Sequence, residues 1–240
     1  MRQQTRLLSL CVATVALVCV GPVFALNVNK SVKIADGAES DGASTVNGSI
    51  TVGENATIDG SVETVNGTIR IDENSRLDDA ETVNGSIRIA AGVTAEDVIS
   101  VNGSIRLAEN VTVGGEVSVV NGKISLDKGT SVVDDVSNVN GEISVVGAEI
   151  GGDLETVNGD VTLTDNSILR GQLVVEEPNG WGWNKKRRKP VIIIGPDSTV
   201  VGDIRLEREV KLFISESAEV GGVTGELSMD DAVRFSGARP

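Results

Sequence analysis

The sequence predicts an all-β fold, a single-stranded parallel β-helix (β-solenoid) of about ten coils. Three observations lead to this prediction. Val-Asn-Gly recurs at nearly constant intervals, aliphatic residues occupy the same offsets around each recurrence, and aromatic residues make up only 2% of the 240 residues. A constant period is typical of repeat architectures. A chain with so few aromatic side chains is also poorly suited to filling a thick globular core.

The Val-Asn-Gly motif sets the repeat, because successive asparagines are separated by 18 or 19 residues. These asparagines are Asn47, Asn66, Asn84, Asn102, Asn121, Asn140 and Asn158. Asn followed by Gly suits a sharp corner, since both residues tolerate positive φ angles. We therefore predict one corner per coil, with the asparagine amides hydrogen-bonded to one another along a ladder.

Four of these motifs, beginning at Asn47, Asn66, Asn84 and Asn102, also fit the acceptor pattern for N-glycosylation. A glycan acceptor has to protrude from a loop. A corner that recurs in every coil favours the architectural interpretation.

Aliphatic residues three and five positions after each asparagine alternate with polar ones, as in Ile69-Arg70-Ile71. Such alternation is typical of a strand with one buried face. A period of 18 to 19 residues leaves no room for separate hairpins, so each repeat is predicted to form one coil. Coils would stack at the usual strand spacing of about 4.8 Å. Because connections between parallel strands are overwhelmingly right-handed, a right-handed coil is predicted.

Residues 1–25 have the organisation of a signal peptide. Arg2 and Arg6 precede an apolar run from Leu7 to Val20, and Val23-Phe24-Ala25 provides a cleavage site of small residues. The alternative is an uncleaved membrane anchor. Cleavage would remove two positive and no negative charges, which changes the formal charge from -14 to -16. We predict an exported acidic protein located in the periplasm, on the outer surface or outside the cell.

The remaining chain is divided into a solenoid over residues 26–225 and a C-terminal cap or tail over residues 226–240. Residues 176–190, EEPNGWGWNKKRRKP, interrupt one coil and form a candidate interaction loop. Its predicted contact residues are Trp181, Trp183, Lys185, Lys186, Arg187, Arg188 and Lys189.

Tryptophan beside clustered cations suits an anionic membrane surface, or an acidic envelope polysaccharide on which the rings stack. Alternatively, the segment is a disordered insertion, or its cations fold back onto the acidic column of the same rod that is described below. Nucleic acid is not expected as a partner, because the acidic remainder of the chain would repel phosphates.

The residue types present exclude most familiar catalytic schemes. The chain contains no histidine, and both cysteines, Cys11 and Cys19, lie in the predicted signal peptide. The usual acid–base residue, thiol nucleophiles and the commonest transition-metal ligands are therefore missing from the mature chain. We expect no catalytic residues, no cofactor and no metal site, and we interpret the chain as a non-enzyme.

Charged residues recur in two columns along the chain. Arg70, Arg88 and Arg106 recur four residues after the asparagine, and the sequence does not distinguish them from a solvated column. The second column is acidic and lies five residues before the corner asparagines. It consists of Asp79, Asp97, Glu116, Asp135 and Asp153, with Asp78, Glu96 and Asp134 alongside. A hydrated face that opposes aggregation is the favoured interpretation, and a divalent-cation site is the alternative.

Stretches such as IDGSVETVNGTIRI and IGGDLETVNGDVTL resemble two related groups of proteins. One is the bactofilins, the polymer-forming bacterial cytoskeletal proteins, and the other is the adhesin-like proteins built from β-strand repeats. The resemblance covers about residues 32–225 and implies a right-handed β-helix, no catalysis and a scaffold or surface role. Bactofilins are cytoplasmic and lack a cleavable signal, and this chain departs from them in that respect.

The sequence therefore predicts a non-enzymatic, exported bacterial envelope protein that acts as a structural scaffold or an adhesin-like interaction rod. A bactofilin-like self-assembling polymer is the first alternative. A polysaccharide-binding or polysaccharide-cleaving β-helix is the second.

Overall fold

The computed structural model describes residues 28–178 and 188–240, which form a parallel β-solenoid of about ten turns. Each coil contributes strands to three sheets that run along the solenoid. The predicted fold class is confirmed, and the handedness stays a prediction. The predicted signal peptide lies outside the described residues.

The first sheet contains the strands that lead into the Asn-Gly corners, Ala43–Asn47, Val62–Asn66, Ala80–Asn84, Val98–Asn102, Val117–Asn121, Val136–Asn140 and Leu154–Thr156, and the strand Leu173–Val175, which leads into the insertion. The second sheet contains the strands that follow the corners: Val32–Ile34, Ile50–Val52, Ile69–Ile71, Ile87–Ile89, Ile105–Leu107, Ile124–Leu126, Ile143–Val146, Val161–Thr164, Val191–Ile194, Lys211–Ser215 and Val233–Phe235.

The third sheet consists of short strands that lead to the next coil: Glu39–Ser40, Thr57–Ile58, Thr94–Ala95, Thr112–Val113, Ser131–Val132, Glu149–Ile150 and Ile168–Leu169. Two longer strands, Thr199–Leu206 and Glu219–Gly225, run through the third sheet into the first. A 3₁₀ turn at Met229–Asp231 is the one helical element of the described residues.

The coils stack in register. Asn102, for example, pairs with Asn84 on one side and Asn121 on the other. The insertion at residues 176–190 does not break this register, because Leu163 pairs directly with Ile194 across it. The predicted tail also adds Val233–Phe235 to the second sheet.

The interior is a narrow column of aliphatic side chains. Strand residues alternate between inward and outward faces, so each short strand contributes one or two buried residues. The isoleucines at the start of the second-sheet strands, such as Ile69, Ile87 and Ile105, are fully buried. A cross-section this thin has no place for large aromatic rings, which explains the composition.

Small polar side chains also point inward, two residues before the corner asparagines. Thr64 Oγ1 donates to the carbonyl of Gly48 at 2.9 Å, and Ser100 Oγ donates to that of Gly85 at 3.2 Å. Each buried hydroxyl thus finds its hydrogen-bond partner in a corner carbonyl of the preceding coil. These bonds explain why Thr or Ser precedes Val-Asn-Gly in many coils.

The proposed reason for the Asn-Gly corner is wrong. None of the seven predicted asparagines has a positive φ, and among the glycines that follow them only Gly141 does, at 138°. The glycines are needed because the backbones of successive coils approach closely. A Cβ on Gly48 would lie 2.5 Å from the carbonyl oxygen of Lys30, and Cβ atoms on Gly85 and Gly103 would lie even closer to the preceding coil.

The positive φ angles lie at a different turn, eight residues after the corner asparagines. Asn55, Asn74 and Asn110 adopt φ values of 56°, 56° and 58° there, and Gly92 and Gly129 adopt 71° and 75°. Only glycine and, less readily, asparagine or aspartate enter this region without large strain. The turn between the second and third sheets therefore uses the conformation that the sequence analysis assigned to the Val-Asn-Gly corner.

Candidate functional site

The predicted corner asparagines form one continuous ladder along the outside of the solenoid. Each side-chain Nδ2 donates to the Oδ1 of the asparagine in the preceding coil, at distances of 2.8 to 3.1 Å. The ladder joins Asn47, Asn66, Asn84, Asn102, Asn121, Asn140 and Asn158. The Nδ2 atom that would carry a glycan is thus engaged within the ladder.

The ladder has one more rung than the sequence analysis found, and a distinct partner at its other end. Asn47 donates to Asn29 at 2.8 Å, and Asn29 was missed because Lys30 replaces the glycine that follows the other asparagines. At the far end, the Arg208 guanidinium donates to Asn158 Oδ1 at 2.9 Å. The same guanidinium donates to the carbonyl of Val157 at 3.0 Å.

Replacing Asn102 with alanine is expected to lower the free energy of unfolding by about 1 kcal/mol, because its hydrogen bonds to Asn84 and Asn121 are lost. The loss is no larger because water can hydrogen-bond to the exposed amides of Asn84 and Asn121. Urea denaturation followed by circular dichroism measures this loss. Asn29→Ala removes one ladder bond and is expected to cost less. Equal losses in the two variants would contradict a ladder role.

The candidate interaction loop is described only at its two ends, residues 176–178 and 188–190. Trp181, Trp183, Lys185, Lys186 and Arg187 lie outside the described residues, whereas Arg188 and Lys189 lie within them. Arg188 pairs with Asp160, and Lys189 pairs with Glu209 at 2.8 Å. These two cations do pair with the same chain, but with carboxylates that are not part of the acidic column.

The acidic column has a structural use. Asp97 Oδ1 accepts the backbone N–H of Glu116 at 2.8 Å, Asp135 Oδ1 accepts that of Asp153 at 2.7 Å, and Asp153 Oδ1 accepts that of Gln172 at 2.7 Å. Each carboxylate therefore bonds to the backbone of the following coil. The described residues contain no group of three or more acidic side chains placed to hold a metal ion.

Beside this column lies a face of glutamates on the outward side of the first sheet, of which the sequence analysis had named only Glu116, as a member of the acidic column. We call Glu63, Glu81, Glu116 and Glu155 the carboxylate face. Glu63, Glu81 and Glu155 lie three residues before the corner asparagine, and Glu116 lies five before it.

Burial raises the pKa of Glu81, Glu116 and Glu155 to about 7, and neighbouring carboxylates add to the effect. The pKa of Glu63 is also raised, mainly by burial and then by Asp79. The sequence carried one signal for this face, the glutamate within three strands that read VET, AET and LET.

The middle of this outward surface is more buried than a sheet exposed on one side would suggest. Ile99, Ser118 and Ser137 belong to the outward face of the first sheet yet are only 5%, 1% and 7% exposed. The hydroxyls of Ser118 and Ser137 lie 2.9 Å apart. Glutamates next to such a surface are poorly hydrated, which disfavours their charged form.

The arginine column lies on the outward side of the second sheet. Arg70, Arg88 and Arg106 occupy consecutive coils in register and are all exposed. They lie on a different sheet from the carboxylate face, so the structure does not bring the arginines and these glutamates together.

The strands and ladders define a class, the β-helix repeat proteins. No family model matches the sequence, and no curated protein or solved structure gives a significant match. Within the described ranges, no helix combines the length and apolar character needed to cross a membrane.

Proposed function

We propose that this chain is a non-enzymatic, exported bacterial envelope protein that acts as a structural scaffold or an adhesin-like interaction rod. The observation that supports this proposal most strongly is the use of the repeated polar groups. The corner asparagines bond to one another, the inward hydroxyls bond to corner carbonyls, and the acidic column bonds to backbone N–H groups. A repeat used in this way serves to build the rod.

The length of the rod would allow it to contact a partner along an extended surface. In the described ranges the second sheet contains eleven strands, which at about 4.8 Å per strand corresponds to a length of roughly 50 Å. Outward columns run along this length on three sheets and are available to partners. The composition of loop 176–190 supports an anionic membrane surface or an envelope polysaccharide as one such partner.

Processing and location provide the test. Mass spectrometry of the protein recovered from the cell envelope is expected to find Leu26 as its N-terminus, because Val23-Phe24-Ala25 is the predicted cleavage site. A variant with Ala25 replaced by a bulky residue serves as the control and is expected to retain its N-terminal segment. Recovery of the parent protein with Met1 intact, or only from the cytoplasm, would overturn the proposal of export.

A self-assembling polymer is the second candidate, and the N-terminal end of the described stack favours it. Val32–Ile34 pairs only with Ile50–Val52 among the described residues, which leaves one strand edge. At the other end, Leu227, Met229 and Ala232 pack against the core. Strand edges without a partner favour association. A sedimentation coefficient that rises with protein concentration would support assembly, whereas a constant monomer value would exclude it.

A further inference from the structure

Three arginines form a narrow stripe along the second sheet. Arg70 pairs in register with Arg88, and Arg88 pairs in register with Arg106, so the three side chains leave the same face of consecutive coils. The side chains of Arg70 and Arg106 are 62% and 65% exposed. The strand spacing places the backbones of neighbouring arginines about 4.8 Å apart.

Ion pairs leave the middle of this stripe open. Arg70 Nε contacts Asp72 at 2.8 Å, and one terminal nitrogen of Arg106 contacts Asp127 at 2.8 Å. Arg88 has no carboxylate within ion-pair distance in the ranges 28–178 and 188–240. Since a guanidinium carries five N–H donors, the two paired arginines also keep donors that face solvent.

Hydroxyl groups line one side of the stripe. Ser86 and Ser104 lie two residues before Arg88 and Arg106 on the same outward face, and each Oγ accepts a backbone N–H from the next coil. Each hydroxyl therefore keeps its own O–H as a donor. On the other side lie Ala90 and Ala108, which offer neither charge nor bulk. The surface around Arg88 thus presents donors and a positive charge, the chemistry that an anion requires.

We propose that this arginine stripe (Arg70, Arg88 and Arg106, with Ser86 and Ser104 beside it) binds a linear carboxylated polysaccharide that runs along the rod. Guanidinium groups bind carboxylates in a bidentate manner. A polyuronate carries one carboxylate per sugar residue and so offers a row of carboxylates to the row of arginines. The inference rests on the proposed role as an interaction rod and names its partner class.

The width of the stripe favours a single polymer chain over a broad anionic surface. The stripe is one arginine wide on a protein whose formal charge is -14, and Asp72 and Asp127 lie at its margin. A bilayer surface or a nucleic-acid duplex would face these and many other carboxylates and be repelled. A single carbohydrate chain lying along the stripe follows the arginines and hydroxyls and meets only the carboxylates at its margin.

The test is titration of the mature full-length chain with fluorescently labelled linear oligouronates of defined length, followed by anisotropy at low and high salt. Affinity is expected to rise with length until the oligomer carries as many carboxylates as the stripe has arginines. It is also expected to fall with salt, since the contacts are charge-assisted. Neutral oligosaccharides of equal length are expected not to bind.

Arg88→Gln is expected to weaken binding about tenfold, the effect of losing one charge-assisted pair. The matched control is Arg170→Gln, an exposed arginine on the third-sheet side that pairs with Glu149. It is expected to bind as the parent does, and both variants are expected to keep the parent melting temperature because the side chains are exposed.

Three results would each overturn the proposed binding role of the stripe. They are absence of binding by the parent, equal weakening in both variants, and tighter binding to anionic vesicles than to oligouronates. A parent protein that begins at Leu26 yet fails to bind oligouronates would overturn this inference alone and leave the scaffold proposal standing.

Discussion

Replacing Gly103 with alanine is expected to destabilise the protein by at least about 3 kcal/mol, a loss at the upper end of what single substitutions produce. A Cβ at this position would penetrate the carbonyl oxygen of Gly85 in the preceding coil. The obstacle is backbone, so no side-chain rotation relieves it. The coils would have to separate, which would weaken the bond from Gly85 N to the Asn102 carbonyl, now 3.0 Å long.

Urea denaturation followed by circular dichroism measures the change, and Gly114→Ala is the matched control. A Cβ on Gly114 would meet only the exposed Glu96 carboxylate, which can move aside. If the Gly103 variant does not fold, Gly48→Ala keeps the hypothesis testable, because it lies at the first described corner and faces Lys30 O at 2.5 Å. Losses no greater than that of Gly114→Ala would show that the corner glycines are not required by packing.

Raising the pH from 5 to 8 is expected to destabilise the protein through the carboxylate face. The folded-state pKa of Glu81, Glu116 and Glu155 is about 7, compared with an ordinary value of 4.5. Below about pH 4.5 each group is protonated in both states. Between about 4.5 and 7 the folded state binds more protons than the unfolded state, so stability falls as the pH rises. Above 7 the groups are charged in both states and the loss is complete.

The expected loss is roughly 1 kcal/mol per group, because partial solvent exposure screens the burial and repulsion that cause the shift. The triple variant Glu81→Gln, Glu116→Gln and Glu155→Gln is therefore expected to gain about 3 kcal/mol at pH 8 relative to the parent. Its stability is also expected to vary less with pH. Thermal and urea denaturation across this pH range measure both effects.

Glu54→Gln, Glu73→Gln and Glu109→Gln together provide the matched control for this prediction. These glutamates are exposed at the turn between the second and third sheets, and their replacement removes the same number of negative charges. If both triple variants gain equal stability at pH 8, net charge rather than placement on the carboxylate face is responsible. Unchanged pH dependence in the first variant would also contradict the prediction.

The regular repeat of the sequence was sufficient to predict the architecture. The 18- to 19-residue interval fixed which residues stack, since a repeat that forms one coil places equal offsets in one column. Ile69, Ile87 and Ile105 were therefore identified as neighbours and lie in register in the core. The same reasoning placed Asn84 beside Asn102, where their side chains bond at 3.1 Å.

Other features depend on distances between coils, which a linear pattern does not contain. Asn-Gly is compatible both with a positive φ and with close backbone packing, and only the position of Gly85 against Gly103 shows that packing is the cause. The positive φ angles lie instead at Asn55, Asn74 and Asn110, and glycine takes the same place in other coils, at Gly92 and Gly129.

Surface properties also include some that the sequence predicts and some that only the tertiary structure determines. The repeat period predicts which arginines and glutamates lie in one column. It did not reveal that Arg88 is left without an ion pair among the described residues while Arg106 reaches Asp127 in the next coil. Nor did it show that Glu81 is poorly hydrated beside a shielded surface. Ion pairing and hydration are set by side chains brought together from different coils, so the sequence determined the columns and the tertiary structure alone decided their chemistry.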